Sequence, residues 1–542
     1  MSRVVLRGAR YVVTVDEADT VLEHATITID DGTITSIEPA ALDARAEPES
    51  SAEPESSAEP ESSARRAEAE SESSARPEAE PESSARPLAG SGGGSHALRG
   101  RGRVRAAGED ADGRRPRDDS GGADRGTADS DGADRGSSDD DTIEIDARGK
   151  LVMPGLVNLH THLPMTLLRG LAEDVDLQGF LHKVWAAEGA VMDEATVELG
   201  ATLGALESLL GGCTTQLDMY FHHEAAHVGA VAAGSRHVIG PVFFDGPGPD
   251  GLEWEERLAL LRAWPERVTA DGGPQIPVAA MPHSTYTCGP EHLEEVAAEL
   301  RRILADTDTR GLLVTHVSEN EAENDDVRAR YDRTPTTVLE DAGWLDGRLP
   351  VVVAHGVHLS PDDRDRLVSA GGSVAHCPGS NLKLASGALR WGDVRGSGLR
   401  LGLGTDGCSS SNDLDMWQVM RQAALLARLT SARPDVASAH EVLRAATIDG
   451  AAALGLDDLV GSVEVGKRAD LVLLDLDRPH LTPVHDVAAL LVFAAGRADV
   501  TDVLVDGEVV VRDGRSTRVD ASELLVRARE RGAAAHTAAE RA

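Results

Sequence analysis

The sequence places histidines and acids, the residue types that bind metals and transfer protons, at the ends of several strand-like runs. The first run ends in His160-Thr161-His162. Residues i and i+2 of an extended segment point to the same side, so both imidazoles converge on one point. His-x-His alone is a weak sign of a metal site, but three later runs end in further residues of these types, namely His316 with Glu319, His355, and Asp406. Purely structural roles would not be expected to recur at four strand ends, so the pattern predicts one metal-dependent catalytic site.

The elements that must position these residues alternate between strand-like and helix-like patterns from about 154 to 456. Apolar strand-like runs occur at 238–244, 278–281, 312–315, 351–354, 373–375 and 401–403. Amphipathic stretches lie between them, such as Leu199, Leu203, Leu206 and Leu210 on one helical face. About eight such runs favour an α/β fold, a (β/α)8 TIM-like barrel, whose chemistry lies at the carboxyl ends of its strands. An open doubly wound sheet is the alternative, but no Gly-rich phosphate loop follows any of these runs.

Short alternating runs outside the barrel predict strands at 4–15, 25–30, 33–37, 142–147, 470–476 and 503–511. We expect the N- and C-terminal strands to pair into one small composite β-sandwich domain. This domain would be assembled from three stretches of the chain, at 1–42, 142–153 and 457–518. An insertion at 43–141 would separate the first two stretches, the hydrolase barrel would occupy 154–456, and a C-terminal helix or tail would follow at 519–542.

The segment 43–141 differs sharply in composition from the rest of the chain. It contains three tandem copies of EPESSA, no aromatic residue and almost no large hydrophobic residue. Such a segment cannot bury enough apolar surface to offset its ordering entropy. We therefore predict a disordered acidic low-complexity insertion, and the sequence leaves its role open.

The net charge is −39, and 49 of the 53 basic residues are arginine. Of the 92 acidic and 53 basic residues, 25 and 14 lie in 43–141, which leaves a net charge of −28 on the rest. This balance disfavours nucleic acid and anionic membranes as partners. Together with the scarcity of lysine and aromatic residues, it predicts adaptation to high salt. Four scattered cysteines and the lack of a long apolar run predict a cytoplasmic chain with reduced thiols.

Six motifs then carry a resemblance to a known family. They are PGLVNLHTHLPMTLLRGLAED, PHSTY, HVSENEAE, VVVAHGVHLS, HCPGSNLKLASG and LGLGTDGCSSSNDLDM. In this order they resemble the amidohydrolase superfamily, and within it the 5′-methylthioadenosine/S-adenosylhomocysteine deaminase and chlorohydrolase group. The resemblance covers the barrel and both termini and leaves out the insertion.

The resemblance implies one divalent metal per subunit, with Zn²⁺ preferred and Fe²⁺ as the alternative. Its ligands would be His160, His162, His316 and Asp406. Two-metal relatives use a carbamylated lysine on the fourth strand, and none of the four lysines lies near 278–281. A mononuclear site is therefore expected, in which the metal supplies hydroxide near neutral pH.

The resemblance also implies the catalytic and substrate-binding residues. Asp406 would accept a proton from the attacking water, His355 would orient it, and Glu319 would carry protons to the ring nitrogen and the leaving ammonia. His283 would contact the substrate's sugar. Where the family has an acid-x-Trp pair for the ribose and the ligand ring, this chain has Gln178 and Phe180.

We predict a hydrolytic deaminase of a small molecule, an adenosine-type nucleoside: 5′-methylthioadenosine, adenosine or S-adenosylhomocysteine. The last is the least favoured, because the family's carboxylate-binding arginines align with Ile239 and with 251–252, and Arg236 and Arg257 are not in register. The alternatives are deamination of guanine or another aminated heterocycle, dechlorination of a triazine, and an inactive binding scaffold. The oligomeric state is left open, and a homo-oligomer remains an option.

Overall fold

The structure is a computed structural model that describes residues 2–39, 142–270, 272–307 and 309–541. The predicted disordered insertion at 43–141 lies outside the described residues. The strands are β1 (Arg3–Val13), β2 (Val21–Asp30), β3 (Thr33–Pro39), β4 (Thr142–Asp146), β5 (Lys150–Pro154), β6 (Leu156–His162), β7 (Cys213–Asp218), β8 (Arg236–Val238), β9 (Val242–Phe243), β10 (Val278–Pro282), β11 (Gly311–Val317), β12 (Val351–His355), β13 (Ser373–His376), β14 (Arg400–Leu403), β15 (Asp406–Gly407), β16 (Leu471–Asp475), β17 (Val500–Val505), β18 (Glu508–Arg512) and β19 (Arg515–Ser516).

The helices begin with a 3-10 turn at Leu163–Leu168, and two more short 3-10 turns lie at Pro479–Leu481 and Arg497–Asp499. The α-helices are α1 (Leu177–Val191), α2 (Glu194–Leu210), α3 (His223–Ala233), α4 (Trp254–Ala270), α5 (Pro290–Ala305), α6 (Glu321–Tyr331), α7 (Pro335–Asp341), α8 (Pro361–Ser369), α9 (Pro378–Lys383), α10 (Trp391–Gly396), α11 (Met416–Ser431), α12 (Ala439–Ala445), α13 (Ile448–Ala453), α14 (Val487–Phe493) and α15 (Ala521–Ala539).

Parallel strands alternating with helices form the (β/α)8 barrel that the sequence predicted. Hydrogen bonds link the strands into two groups, β15-β6-β7-β8 and β14-β13-β12-β11-β10-β9. The chain runs from β8 into β9 through 239–241, and from β14 into β15 through 404–405, so both edges of one group continue directly into the other. The strands are buried along their whole length, as in β11, where every residue is buried. Burial on both faces explains their continuous apolar runs.

The helices pack on the barrel through apolar faces. In α5, the buried residues are Leu293, Val296, Ala297, Leu300 and Ile303. Its first turn carries Pro290 after Gly289, an arrangement in which proline loses no helical hydrogen bond. In α2, the predicted face is buried only in part: Leu199 and Leu206 are buried and pack against Leu524 of α15, whereas Leu203 and Leu210 are half-buried. The C-terminal helix therefore covers one side of the barrel.

The N- and C-terminal strands share one nine-stranded sheet, in the order β19-β18-β17-β16-β5-β1-β2-β3, with β4 also paired to β1. The junction between the two chain ends is the antiparallel pair β5 and β16, in which Val152 lies opposite Leu473. The sheet has its own apolar core, which includes Leu6, Ile27 and Leu504. Since β5 leads directly into β6, this domain fixes the start of the first barrel strand. Among the described residues, no helix is both long and apolar enough to cross a membrane.

Candidate active site at the carboxyl ends of the barrel strands

Three histidines from two strands meet at the centre of the barrel's carboxyl end. Nitrogen atoms of His160 and His162, from β6, and of His316, from β11, lie within 4.8 Å of one another. A second group with the same spacing contains His160, His355 and Asp406. The sequence places these side chains together because parallel barrel strands all end at the same face.

Backbone carbonyl groups orient two of these rings. The Nδ1–H of His162 donates to the backbone oxygen of Met219 at 2.6 Å. The Nδ1–H of His316 donates to the backbone oxygen of His283, also at 2.6 Å. A hydrogen bond at Nδ1 turns Nε2 toward the cluster, which is how proteins orient metal-binding histidines.

Asp406 completes the cluster from β15. Its Oδ1 lies 3.1 Å from His162 Nε2 and 3.5 Å from His160 Nε2. Its Oδ2 accepts a hydrogen bond from the Ser410 hydroxyl at 2.9 Å. Burial acts to raise the pKa of Asp406, but the imidazoles of His160 and His162 hold it well below its usual range. The residue is therefore an anionic ligand type in a buried setting.

This donor set fits a divalent metal. His160 is fully buried, yet neither of its ring nitrogens has a hydrogen-bond partner among the described residues. Burial lowers the pKa of His160 to about 4, so its ring is neutral, which is the form that binds a metal. Buried polar atoms without partners are costly, and a metal ion would satisfy them. Three imidazoles and one carboxylate are typical of a catalytic zinc site.

Glu319 and His355 lie beside the cluster with their side chains facing each other. Glu319 Oε2 is 3.8 Å from His355 Nε2. The Nδ1–H of His355 donates to Asn381 Oδ1 at 2.9 Å, which leaves Nε2 as the acceptor facing the site. Burial raises the pKa of Glu319 from its ordinary value. A buried acid beside an imidazole is a suitable arrangement for proton transfer.

A concave cavity that opens to the surface lies above this cluster. His162, His316, Glu319, His355 and Asp406 line it. Its other walls are mainly apolar and include Leu177, Phe180, Leu181, Val184, Trp185, Phe221 and Phe244. The arrangement therefore combines a polar floor with walls suited to a flat ring.

Of the five residues predicted to bind substrate, Phe180, His283, Glu319 and Asp406 line the cavity and Gln178 does not. Phe180 is a wall residue on α1. His283 stacks on Phe244 with ring centroids 5.0 Å apart. Burial lowers the pKa of His283 to about 3, so it is neutral. Gln178 is exposed on α1 and is absent from the lining, because its position points away from the apolar face that carries Phe180.

Sequence reasoning missed several polar residues around the site. Asn381 orients His355, and Glu323 accepts hydrogen bonds from the backbone N–H groups of Ser318 at 3.0 Å and Glu319 at 2.7 Å. Glu188 lines the cavity from α1. A signal for Glu188 existed, because it continues the buried face of Leu177, Phe180 and Val184 at helical spacing. An acid at such a position is unusual and marks a residue worth testing.

A (β/α)8 barrel with imidazoles and a carboxylate at its strand ends defines a metal-dependent hydrolase. Residues 151–510 match the model of the amidohydrolase family. The chain belongs to this family, whose members depend on metal.

The chain is similar in sequence to curated relatives over most of its length. It is 38% identical to a 5-methylthioadenosine/S-adenosylhomocysteine deaminase of Moorella thermoacetica, an alignment that covers 71% of this chain and 88% of the relative. It is 41% identical to the protein with the same name from Symbiobacterium thermophilum, with coverage of 72% and 87%. The similarity therefore extends over most of the length of both relatives.

Solved structures share the fold. An adenosine deaminase from Xanthomonas campestris with bound zinc is 28% identical, with a TM-score of 0.74 and coverage of 99% of both chains. Atrazine chlorohydrolase from Arthrobacter aurescens, complexed with zinc, is 23% identical with a TM-score of 0.70 and coverage of 98% and 100%. The second likeness concerns the fold alone.

Proposed function

We propose that this protein is a hydrolytic deaminase of adenosine-type nucleosides, with 5′-methylthioadenosine and adenosine as the preferred substrates. The observation that carries the proposal is the convergence of His160, His162, His316 and Asp406 with Glu319 and His355 at the floor of a largely apolar cavity. The names of the curated relatives and the adenosine deaminase of the same fold support the same activity.

In this proposal His160, His162, His316 and Asp406 hold one divalent metal, with Zn²⁺ as the first choice and Fe²⁺ as the alternative. A metal bound there supplies a water of lowered pKa as nucleophile near neutral pH. Zn²⁺ is favoured because imidazole suits it and because the solved adenosine deaminase of the same fold contains zinc.

The remaining residues move protons. Deamination adds water across the carbon–nitrogen bond, so the ring carbon gains oxygen, the amino group leaves as ammonia, and protons must pass from the nucleophile to the leaving group. The Asp406 carboxylate accepts the first proton. Glu319, whose pKa burial raises, donates a proton to the ring nitrogen, then takes the remaining proton of the new hydroxyl group and passes it to the amino group, which leaves as ammonia. The proton held by Asp406 then returns to Glu319, so both acids regain their starting states. His355 Nε2 accepts a hydrogen bond from the nucleophile and orients it.

The cavity suits a neutral nucleoside better than S-adenosylhomocysteine. No arginine or lysine is among the described residues that line it, so an amino-acid carboxylate would find no cation there. Arg236 is buried and bonded to Asp470 at 2.9 Å, and Arg257 is buried and bonded to Asp250 at 2.5 Å. Neither arginine is free to replace the family residues that bind a carboxylate.

The proposal extends to the conditions in which the enzyme works. Excess acid and scarce lysine support adaptation to high salt, where screening over roughly 3 Å at about 1 M weakens the repulsion between like charges. We also propose a cytoplasmic location, which rests on the cysteine pattern. The excess of negative charge disfavours nucleic acids and anionic membranes as partners.

A screen for ammonia release tests the activity. We expect metal-loaded protein to deaminate 5′-methylthioadenosine and adenosine, S-adenosylhomocysteine less well, and guanine and atrazine not at all, with higher rates in about 1 M than in about 0.1 M salt. Elemental analysis should find one zinc per chain. Zinc-loaded protein that releases ammonia from none of these nucleosides would contradict the proposal and favour a binding scaffold; turnover of guanine or atrazine would favour the corresponding alternative.

The role of Glu319 is tested by Glu319→Gln, with Glu321→Gln as the matched control. Glu321 is two residues away and its side chain is 86% exposed. We expect the first variant to lose at least about 100-fold in kcat, since general acid–base catalysis contributes about that much or more, and to keep its metal. The control should match the unmodified enzyme. Loss of metal from Glu319→Gln would mean that Glu319 is a ligand instead.

A further inference from the structure

Glu188 is a buried acid of the cavity wall. It is neither one of the proposed metal ligands nor part of the proposed proton pathway. It lies in the last turn of α1, is 1% exposed, and lines the cavity beside Val184 and Trp185 of the same helix. Its Oε1 accepts a hydrogen bond from the Tyr220 hydroxyl at 2.7 Å. Tyr220 follows β7, directly after the Met219 whose carbonyl group orients His162.

The second oxygen of Glu188 has nothing to bind within the protein. Among the described residues, Oε2 of Glu188 is the one buried carboxylate oxygen that lacks a hydrogen-bond partner. Burial raises the pKa of Glu188 to about 7, and the Tyr220 hydrogen bond only partly opposes this. Leaving a carboxylate oxygen unpaired in an apolar setting is costly, so its retention calls for a partner that arrives from outside.

Glu323 provides an internal comparison. It is also buried, and burial also raises its pKa to about 7. Both of its oxygens are occupied, because they accept the backbone N–H groups of Ser318 and Glu319. A buried acid with a structural role in this fold is thus fully paired. Only one carboxylate oxygen of Glu188 has a hydrogen-bond partner, and Glu188 is a residue of the cavity wall.

The chemistry of the substrate indicates what that partner is. When the reacting carbon of a nucleoside lies at Glu319 and His355, its sugar extends toward the remaining walls. Those walls are mainly aliphatic and aromatic side chains; among them His283, Tyr286 and Glu188 carry groups that can bind a hydroxyl, and Glu188 is the one carboxylate of the described lining outside the floor. The ribose has two neighbouring hydroxyl groups, and a carboxylate oxygen is a strong acceptor for such donors.

We propose that Oε2 of Glu188, held in place by Tyr220, accepts a hydrogen bond from a ribose hydroxyl of the bound nucleoside. Glu188 is then a specificity-determining residue that favours ribonucleosides over their deoxy analogues. This inference rests on the proposed function and deepens it by assigning the recognition of the sugar.

The test combines a change in the enzyme with a change in the substrate. We compare kcat/KM for adenosine and 2′,3′-dideoxyadenosine in the metal-loaded enzyme and in Glu188→Gln. The unmodified enzyme should prefer adenosine by about 10- to 100-fold, the usual value of a hydrogen bond to a charged group. In the variant, kcat/KM for adenosine should fall and the preference should shrink to within about threefold. The 2′-deoxy and 3′-deoxy nucleosides then identify the hydroxyl.

A second variant guards against misfolding. Glu188→Leu replaces a buried acid by an apolar group of similar size, a change that proteins often tolerate well. It should also lose the preference for ribose while keeping its zinc. The Kd values of inosine and 2′,3′-dideoxyinosine, measured by calorimetry, give a readout that needs no turnover, and their ratio should change in the same way.

Two outcomes would overturn the inference while leaving the deaminase proposal intact. One is equal kcat/KM for adenosine and its dideoxy analogue in the unmodified enzyme. The other is an unchanged preference in both variants, which would mean that Glu188 serves only to hold Tyr220. If the unmodified, metal-loaded enzyme deaminates no nucleoside and does not bind inosine, the proposed function fails and this inference fails with it.

Discussion

Glu188 and Glu323 are both buried acids, but only Glu323 has hydrogen-bond partners for both of its carboxylate oxygens. The oxygens of Glu323 are paired with backbone N–H groups, and Glu319 is thereby fixed at the end of β11, where Ser318 adopts a positive φ of 52°. Glu188 has one open oxygen. An acid that lowers the stability of the fold is expected at a functional site. Replacing Glu188 by an apolar residue should therefore stabilise the protein.

The replacement Glu188→Leu should therefore raise stability in a manner that depends on pH. The folded-state pKa of Glu188 is about 7, and the ordinary value is 4.5. Between these values the folded chain keeps a proton that the unfolded chain has released, so this group lowers stability as the pH rises. The variant lacks the group, so its advantage in free energy of unfolding should grow by about 3 kcal/mol from pH 4.5 to pH 8. Urea unfolding of both proteins across this range measures it.

Comparing the two proteins removes the contribution of titrating groups that do not interact with Glu188; His162, whose charge lowers the pKa of Glu188, remains part of the difference. Glu321→Leu is the control for acid replacement at an exposed position, and its difference from the unmodified protein should not vary with pH. A constant difference for Glu188→Leu as well would mean that Glu188 is not protonated in the folded protein near neutral pH.

The sequence could predict the convergence of His160, His162, His316 and Asp406 because each stands at the end of a strand, and a parallel barrel brings strand ends together. Their roles as ligands stay a prediction. Residues such as Asn381 and Glu323 could not be found this way. Their contribution depends on hydrogen bonds whose geometry only the folded chain defines.

At the scale of elements, a polar cluster connects the segment before α1 to the loop before α11. Lys383, at the end of α9, donates to Glu173 and Asn412 at 2.9 Å and to the backbone oxygen of Ser409 at 3.1 Å. In the structure Lys383 does not line the cavity, and it instead holds the segment that leads into a cavity wall.

Removing this amine should loosen the wall that α1 provides. We expect Lys383→Met to raise KM for adenosine about fivefold, equivalent to about 1 kcal/mol, and to change kcat less than about twofold. Lys183→Met, on α1 itself, is the matched control and should leave both parameters unchanged. Steady-state kinetics measures the effect. A fall in kcat at constant KM would instead mean that Lys383 acts on the chemical step.

The predicted elements agree with the structure where one periodicity dominates. Helix α2 packs part of its predicted face against α15, and the composite pairing of the chain ends occurs through β5 and β16. The sequence did not predict the detailed order and direction of the strands in the sheet. A parallel pairing of β4 with β1, and the single nine-stranded sheet, depend on contacts between distant segments that no local pattern encodes.

At the scale of the molecule, a buried ionic cluster ties the barrel to the nine-stranded sheet. Arg236 of β8 bonds to Asp470 and to Asp506, and Arg468 also bonds to Asp506 at 2.5 Å. Breaking a buried pair on one side is strongly destabilising. The barrel and the sheet therefore act as one body among the described residues, and the cavity depends on strands that the sheet anchors.

The described residues on either side of 40–141 belong to the nine-stranded sheet, at the end of β3 and the start of β4. Pro39 pairs with Ala25, which pairs with Ala9, and Thr142 pairs with Arg3. The two ends are thus three strand spacings apart and offset by about six residues along β1. With about 4.8 Å between strands and about 3.3 Å per residue, the separation is about 25 Å.

Replacing residues 40–141 with a Gly/Ser linker of about 15 residues should therefore preserve the enzyme, because such a linker reaches about 50 Å when extended. Since we predict the segment to be disordered, a shorter loop should lower the entropic cost of closure and stabilise the fold by about 1–2 kcal/mol. We expect kcat/KM within about twofold and a raised Tm. A linker of about five residues spans only about 17 Å, so it should disrupt β3 or β4 and lower the Tm. Loss of activity with the long linker, at unchanged zinc content and Tm, would instead place some of the active site in the segment 40–141.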